Sequence, residues 1–152
     1  MYLVGKLSQP ALITPHAGEL AKLLKSRGIT VSVEAIEGDP RKWVQIATDT
    51  LKVTVLLKGA ITFVADSEQL IELPKATPWL ATAGTGDVLA GIVAALVATN
   101  EVEILNDESS LARIAASAAF KHNATALKAS NGGPITATQI INFIPKAIRQ
   151  FL

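Results

Sequence analysis

Residues 80–91 read LATAGTGDVLAG, so three glycines, two threonines and one acid stand where an apolar run opens. Lacking a Cβ, Gly84 and Gly86 let the backbone approach a ligand closely and take positive φ. Amides exposed in this way stand at the start of a helix expected from about Asp87 to Thr99. Its unpaired N–H groups and dipole favour an anion such as phosphate. A carboxylate beside phosphate is repelled unless a cation or a proton-transfer task accompanies it, so Asp87 reads as a general base or a magnesium partner. The same residues fit a plainer account, in which Thr85 or Asp87 caps the helix and the glycines only turn the chain. Gly91, inside the helix, would cost about 1 kcal/mol relative to alanine if exposed, which predicts close packing of helix on sheet there.

Two further stretches carry candidate groups. Lys58 ends an apolar run and precedes Gly59. Its ammonium therefore sits at the rim of a strand, where it meets either a nucleotide phosphate or bulk water. His16, within TPHAGE, lies in a loop that opens a helix, and its imidazole can donate to a substrate oxygen or bond the backbone. Glu19 follows one turn into that helix, where the dipole favours a carboxylate. His122, within AAFKHNATAL, reads as a packing or helix-surface residue and is assigned no ligand role.

These groups need a frame. Ala11 to Ile13 forms a short apolar strand, the chain turns at Pro15, and Leu20, Leu23 and Leu24 recur at helical spacing until Gly28. A second helix starts with Asp39 as N-cap and Pro40 at its first position, with Trp43, Ile46, Ala47 and Leu51 as the inward stripe. The β-branched stretch that follows reads as strands Val53 to Leu57 and Ile61 to Ala65, broken at Lys58-Gly59-Ala60. Continuous apolarity in the first of these predicts cover on both faces, as in parallel sheets between helices. After a turn at Asp66-Ser67 comes a short strand, Leu70 to Pro74. Helices from about Asp87 to Thr99, Ser109 to Ser130 and Ala137 to Phe151 complete the chain, the last with a kink or break near Pro145. SNGGP, residues 130–134, connects the last two. Strands alternating with helices imply an α/β sandwich, and ligands in such folds gather outside the carboxyl ends of the strands. TPHAGE, KGAIT and AGTGD all fall there, so three loops line one cleft.

Composition narrows the classes. The 152 residues fit one domain, 1–152, which at this size buries about 68–70% of its unfolded surface. No cysteine is present, which excludes disulfides and thiolate chemistry, and two isolated histidines make no zinc site. The net charge is +1, with 14 basic residues scattered along the chain and only 5% aromatics, so nucleic acid is not an expected partner. The longest nearly unbroken apolar stretch, Val88 to Ala98, falls short of the roughly 18 residues that a membrane span needs. MYLVGKLSQP has no charged run before an apolar region and no small-residue cleavage site. A soluble, cytoplasmic protein is expected.

Taken in order, TPHAGE at Thr14 to Glu19, KGAIT at Lys58 to Thr62 and ATAGTGDVLAG at Ala81 to Gly91 resemble the ADP- or ATP-dependent NAD(P)H-hydrate dehydratase family. The resemblance runs from about residue 10 to the C-terminus and includes GPITATQIINFIPKAI. Glycine-Thr-Gly-Asp is shared with other ribokinase-like enzymes, including kinases of vitamin precursors, whereas TPHAGE points to the dehydratases. The resemblance implies a ribokinase-like three-layer α/β sandwich, here the C-terminal portion lacking the N-terminal part of the domain. It also implies a lyase of metabolite repair. ADP or ATP would phosphorylate the added hydroxyl of hydrated NADH or NADPH, and phosphate would then be eliminated.

On the family's pattern His16 and Asp87 face the hydrated nicotinamide, with Asp87 accepting the hydroxyl proton. Lys58, Gly59, Ala60, Ile61 and Thr62 hold the adenine nucleotide together with Gly86. The amides of Ala83, Gly84, Thr85 and Gly86 stabilise charge on the transferring phosphoryl group. An aspartate at a helix N-terminus is a weak base, so its value lies in position. Magnesium offsets the phosphate charge without a dedicated protein cage. Strands absent from the sheet would leave an exposed edge or apolar face, so a homo-oligomer or a partner chain completing the fold is expected. Two alternatives stand beside this reading: a small-molecule kinase of the same fold, and a non-catalytic nucleotide-binding remnant or subunit.

Overall fold

In the computed structural model, which describes residues 9–149, the apolar runs assemble into a four-stranded sheet with helices on both faces. The strands are β1 (Leu12–Ile13), β2 (Thr54–Leu57), β3 (Phe63–Ala65) and β4 (Leu70–Glu72), in the order β1-β2-β3-β4. Between β1 and β2 run α1 (Ala17–Lys25), α2 (Val33–Gly38) and α3 (Pro40–Leu51). After β4 come a 3-10 turn at Pro78–Leu80, then α4 (Thr85–Thr99), α5 (Glu101–Asn106), α6 (Ser110–Ser130) and α7 (Ala137–Ile148).

Alternation along the strands sorts the core into two. Val55, Leu57, Phe63 and Ala65 pack with Leu20, Leu24, Val44 and Ala47 on the side of α1 and α3. Leu56 and Val64 pack with Leu89, Val93, Ala115 and Ala118 on the side of α4 and α6. Successive strand residues point to opposite faces, so β2 is buried along its whole length and the sandwich has three layers, as expected.

Parallel pairing is confined to β1 and β2, where Leu12 lies opposite Thr54. The β2–β3 and β3–β4 pairs are antiparallel, because the loops joining them are far too short for the crossover that parallel strands require. β3 starts at Phe63 rather than Ile61. The chain is still bending there, and the amide of Ala76 donates to the Ala60 carbonyl (2.8 Å) while that of Leu73 donates to the Thr62 carbonyl (3.0 Å).

Other boundaries follow local chemistry. Asp39 caps α3 as expected, its Oδ1 accepting from the Lys42 amide at 3.2 Å. The buried line of α3 is Val44, Ala47, Thr48 and Leu51, and Trp43 and Ile46 are only half-buried. Thr48 turns inward because its hydroxyl donates to the Ala65 carbonyl (3.2 Å). The six-residue helices α2 and α5 show no periodicity in sequence, since each is under two turns long. Gly91 does not pack on the sheet. Leu89 and Val93 hold the inward side of α4, and residue 91, midway between them, faces outward with open space around it. Helix α7 runs on through Pro145 to Ile148, held by burial of Ile140 and Ala147 along one face; Phe151 lies outside the described residues. Among the described residues no helix is long and apolar enough to cross a membrane.

Candidate active site

The parallel pair β1–β2 continues past its strands as a bridge between His16 and Lys58, and the Lys58 amide donates to the Pro15 carbonyl at 2.8 Å. This brings TPHAGE and KGAIT side by side at the carboxyl ends of both strands. His16 is the N-cap of α1. Its Nδ1 accepts from the amides of Gly18 (3.0 Å) and Glu19 (3.3 Å), and Glu19 Oε2 accepts from the His16 amide at 2.8 Å. Of the two roles open to His16, the backbone bond is therefore made, and it engages one nitrogen only. In the neutral ring the hydrogen then resides on Nε2, a donor on an exposed side chain that lies beside Glu19 Oε2.

Glu19 does more than answer a helix dipole. Its Oε2 lies 3.6 Å from His16 Nε2 and 3.6 Å from Lys58 Nζ. The hydrogen bond from the His16 amide holds the Glu19 carboxyl below its usual range against the opposing cost of burial, and the charges of Lys58 and His16 add smaller pulls in the same downward direction.

Helix α4 opens on Gly84, which has φ of +84°, and a Cβ there would also lie 3.2 Å from the Cβ of Ala137 at the start of α7. Conformation and space both demand glycine. No side chain caps this helix. Thr85 is buried, and its Oγ1 faces back toward the carbonyls of Leu80 (2.7 Å) and Thr82 (2.8 Å), tying the helix start to the preceding loop. Asp87 is exposed on the first turn and makes no cap. The first bond of the helix runs from the Val88 amide to the Gly84 carbonyl (3.2 Å), so the amides of Gly86 and Asp87 point out of its end. Across that end stands Lys58, whose Nζ would be 3.4 Å from a Cβ at Gly86.

The three motifs thus converge: His16 leads to Glu19, Glu19 to Lys58, and Lys58 to Gly86. Around them Gly59, Ala60 and Ala83 are exposed, Ile61 packs toward the core on the α1 side, and the Thr62 side chain is buried. Ala137 is a neighbour that the sequence pattern did not single out, and the linking role of Glu19 is another. The cradle is open. A cavity of about 300 Å³ lies elsewhere, toward the amino end of β2, between Asp49, Lys52, Asp66 and Glu108. Among the described residues no three His, Asp or Glu side chains group to hold a metal ion.

Residues 3–146 match the model of the family described as NAD(P)H-hydrate dehydratase. The chain is 35% identical, over 96% of its length, to the bifunctional NAD(P)H-hydrate repair enzyme Nnr of Mycobacterium leprae, and covers 29% of that protein. To the enzyme of the same description from Mycobacterium tuberculosis it is 43% identical over 64% of its length, covering 19% of the relative. Among solved structures it is similar to the ADP/ATP-dependent NAD(P)H-hydrate dehydratase of Bacillus subtilis, co-crystallized with ATP/Mg2+ and soaked with CoA. There the TM-score is 0.76 at 21% identity, over 97% of this chain and 52% of that one. A ribokinase-like superfamily protein of Enterococcus faecalis matches with a TM-score of 0.73 at 23% identity, over 95% and 46%. The fold is ribokinase-like. The chain spans less than a third of the length of these curated relatives and about half of the solved chains.

Proposed function

The chain belongs to the NAD(P)H-hydrate dehydratase family, and from that premise we propose that it supplies the nucleotide cradle and the base of a site that dehydrates hydrated NADH or NADPH with ADP or ATP. The reading is carried by one observation: the Lys58 ammonium lies across the uncapped N-terminus of α4, between Glu19 and Gly86.

Phosphate oxygens would accept from the outward amide of Gly86, from the amides of Ala83 and Gly84 in the turn before it, and from Lys58, where the helix dipole favours their charge. Thr85, with its hydroxyl turned inward, holds the loop in place. Gly59, Ala60, Ile61 and Thr62 form the turn beside the nucleotide, Thr62 through its backbone since its side chain is buried. Asp87 takes the proton from the added hydroxyl of the substrate as that oxygen bonds to phosphorus and the bond to the departing nucleotide breaks. The exposed Nε2–H of His16 donates to the substrate. Phosphate then leaves with the former hydroxyl oxygen, a neighbouring carbon loses its proton, and the ring double bond returns. Magnesium bound with the nucleotide would offset the phosphate charge, with Asp87 and Glu19 the carboxylates beside the cradle that could help to hold it.

Family membership favours this reaction over a kinase that would release a stable phosphorylated product. β1 lies at one edge of the described sheet, where a second copy or a partner chain would add strands and complete the fold. The setting proposed is the cytoplasm.

Calorimetric titration with ADP, ATP and AMP in magnesium, followed by an absorbance assay for NADH formed from its hydrate, tests the reading. Binding with NADH formation is the expected result. Nucleotide consumption with a stable phosphorylated product would point to a kinase, and binding without turnover to a nucleotide-binding subunit. Absence of any binding would sink the cradle.

A further inference from the structure

A carboxylate stands beside the phosphate cradle, where its charge by itself would turn an anion away. Glu19 is pinned to the backbone: its Oε2 accepts from the His16 amide at 2.8 Å, within the box that closes α1. The same oxygen lies 3.6 Å from Lys58 Nζ, and among the described residues that ammonium has no other side-chain partner. Lys58 in turn reaches the first turn of α4, where its Nζ would lie 3.4 Å from a Cβ at Gly86. A long, flexible side chain is thus aimed by one carboxylate, and a helix end fixes that carboxylate.

Two effects of Glu19 on an anion oppose each other, and their sizes decide the sign. Its side chain is 49% exposed, so water and salt screen its repulsion of a phosphate beyond Lys58 to about twofold in affinity. Fixing a lysine side chain at the moment of binding costs about twofold to tenfold in affinity. A lysine already held in place avoids that larger cost. We propose that Glu19 is a positioning residue of the nucleotide site, holding the Lys58 ammonium over the start of α4 before the anion arrives, so that an acidic residue raises the affinity for an anion. This rests on the nucleotide reading above. Toward the phosphate, Glu19 acts only through Lys58.

The test is a double-mutant cycle in the full chain, with Glu19→Gln, Lys58→Met and the two combined. Each is titrated calorimetrically with AMP in the absence of divalent metal, so that a metal held by the carboxylate stays out of the readout, and thermal melting is followed in parallel. Glutamine keeps the capping bond, as Gln139 does for Thr136. With Lys58 present, Glu19→Gln is expected to bind AMP about threefold to fivefold more weakly. With Lys58→Met the same change should leave affinity unchanged or improve it by up to about twofold, since only the repulsion remains to be removed. A Glu19→Gln variant that binds AMP as tightly as native, or more tightly, would overturn the proposal. So would an equal loss in both backgrounds, which would trace to the cap of α1 rather than to the lysine. Should a variant fail to fold or bind too weakly to titrate, the native chain decides: NMR relaxation of the AMP-free protein is expected to show the Lys58 ammonium more ordered than that of the exposed Lys25, and equal mobility would overturn the positioning role. A native chain that binds no AMP removes the cradle itself and this inference with it. Native binding with an unaffected Glu19→Gln variant removes the inference alone.

Discussion

Helices α1 and α4 begin at the same end of the sheet and meet their unpaired amides in opposite ways. In α1 the chain answers them itself, through His16 and the reciprocal bond from Glu19. In α4 it leaves them open behind a left-handed glycine. The missing cap is not distinctive alone, since α5 and α6 also lack side-chain caps. What sets α4 apart is the ammonium of Lys58 held over its first turn by the very carboxylate that closes α1. One helix end is finished, and its finishing group aims a cation at the end that is not. The open backbone donors with a cation beside them are therefore at α4, while the first amides of α1 are already taken.

Substitutions can break this contrast. Asp87→Asn removes the base and nothing structural, so NADH formation should fall by about 100-fold or more. AMP affinity, read by calorimetry, should hold or improve slightly as a negative charge leaves the cradle. Lys58→Met tests whether the open end needs its cation. AMP affinity should drop by about tenfold, the worth of a charge-assisted bond, and unchanged affinity would reduce Lys58 to a strand's exit into water. Gly84→Ala forces a Cβ into left-handed backbone, at about 1–2 kcal/mol, and against Ala137. For a chain of this size each kcal/mol lowers Tm by about 2–4 °C in a melting experiment.

The gentlest variant works on the closed end. Glu19→Gln keeps a capping box, as Gln139 does for Thr136 at α7, where the Thr136 amide donates to Gln139 Oε1 at 2.7 Å. It removes only the charge. The Glu19 carboxyl is lowered from 4.5 in the folded chain, so its contribution to stability is present above that pH and is lost as pH falls through the lowered native value. Denaturation followed against pH should show a slightly flatter acid limb in the glutamine variant, and an identical limb would mean that the Glu19 charge adds nothing beyond the capping bond to the His16 amide.

The start of α4, the double burial of β2 and the meeting of three loops could all be read in the sequence, because each rests on a local pattern: glycines before an apolar run, or uninterrupted β-branched residues. What stayed hidden depends on partners distant in sequence or on unusual chemistry. Histidine is not among the side chains that a capping signature specifies, so the box of His16 and Glu19 is not legible in the sequence although its spacing is present. The near-uniform apolarity of α4 conceals which side faces in, so the pattern directs Gly91 to the sheet when it faces away. The direction of β3 and β4 had a usable signal in loop length.

The mixed sheet also sets an order of assembly. β2, β3 and β4 are joined by short loops and can zip together as successive hairpins. β1 reaches β2 only after three helices have been wound between them, a closure whose entropy must be met before any contact returns it. The bridge between His16 and Lys58 belongs to that slow pairing. His16 and Lys58 are therefore expected to become neighbours late in folding, so that recovery of nucleotide binding on refolding should follow the closing of β1 rather than the β2–β4 meander.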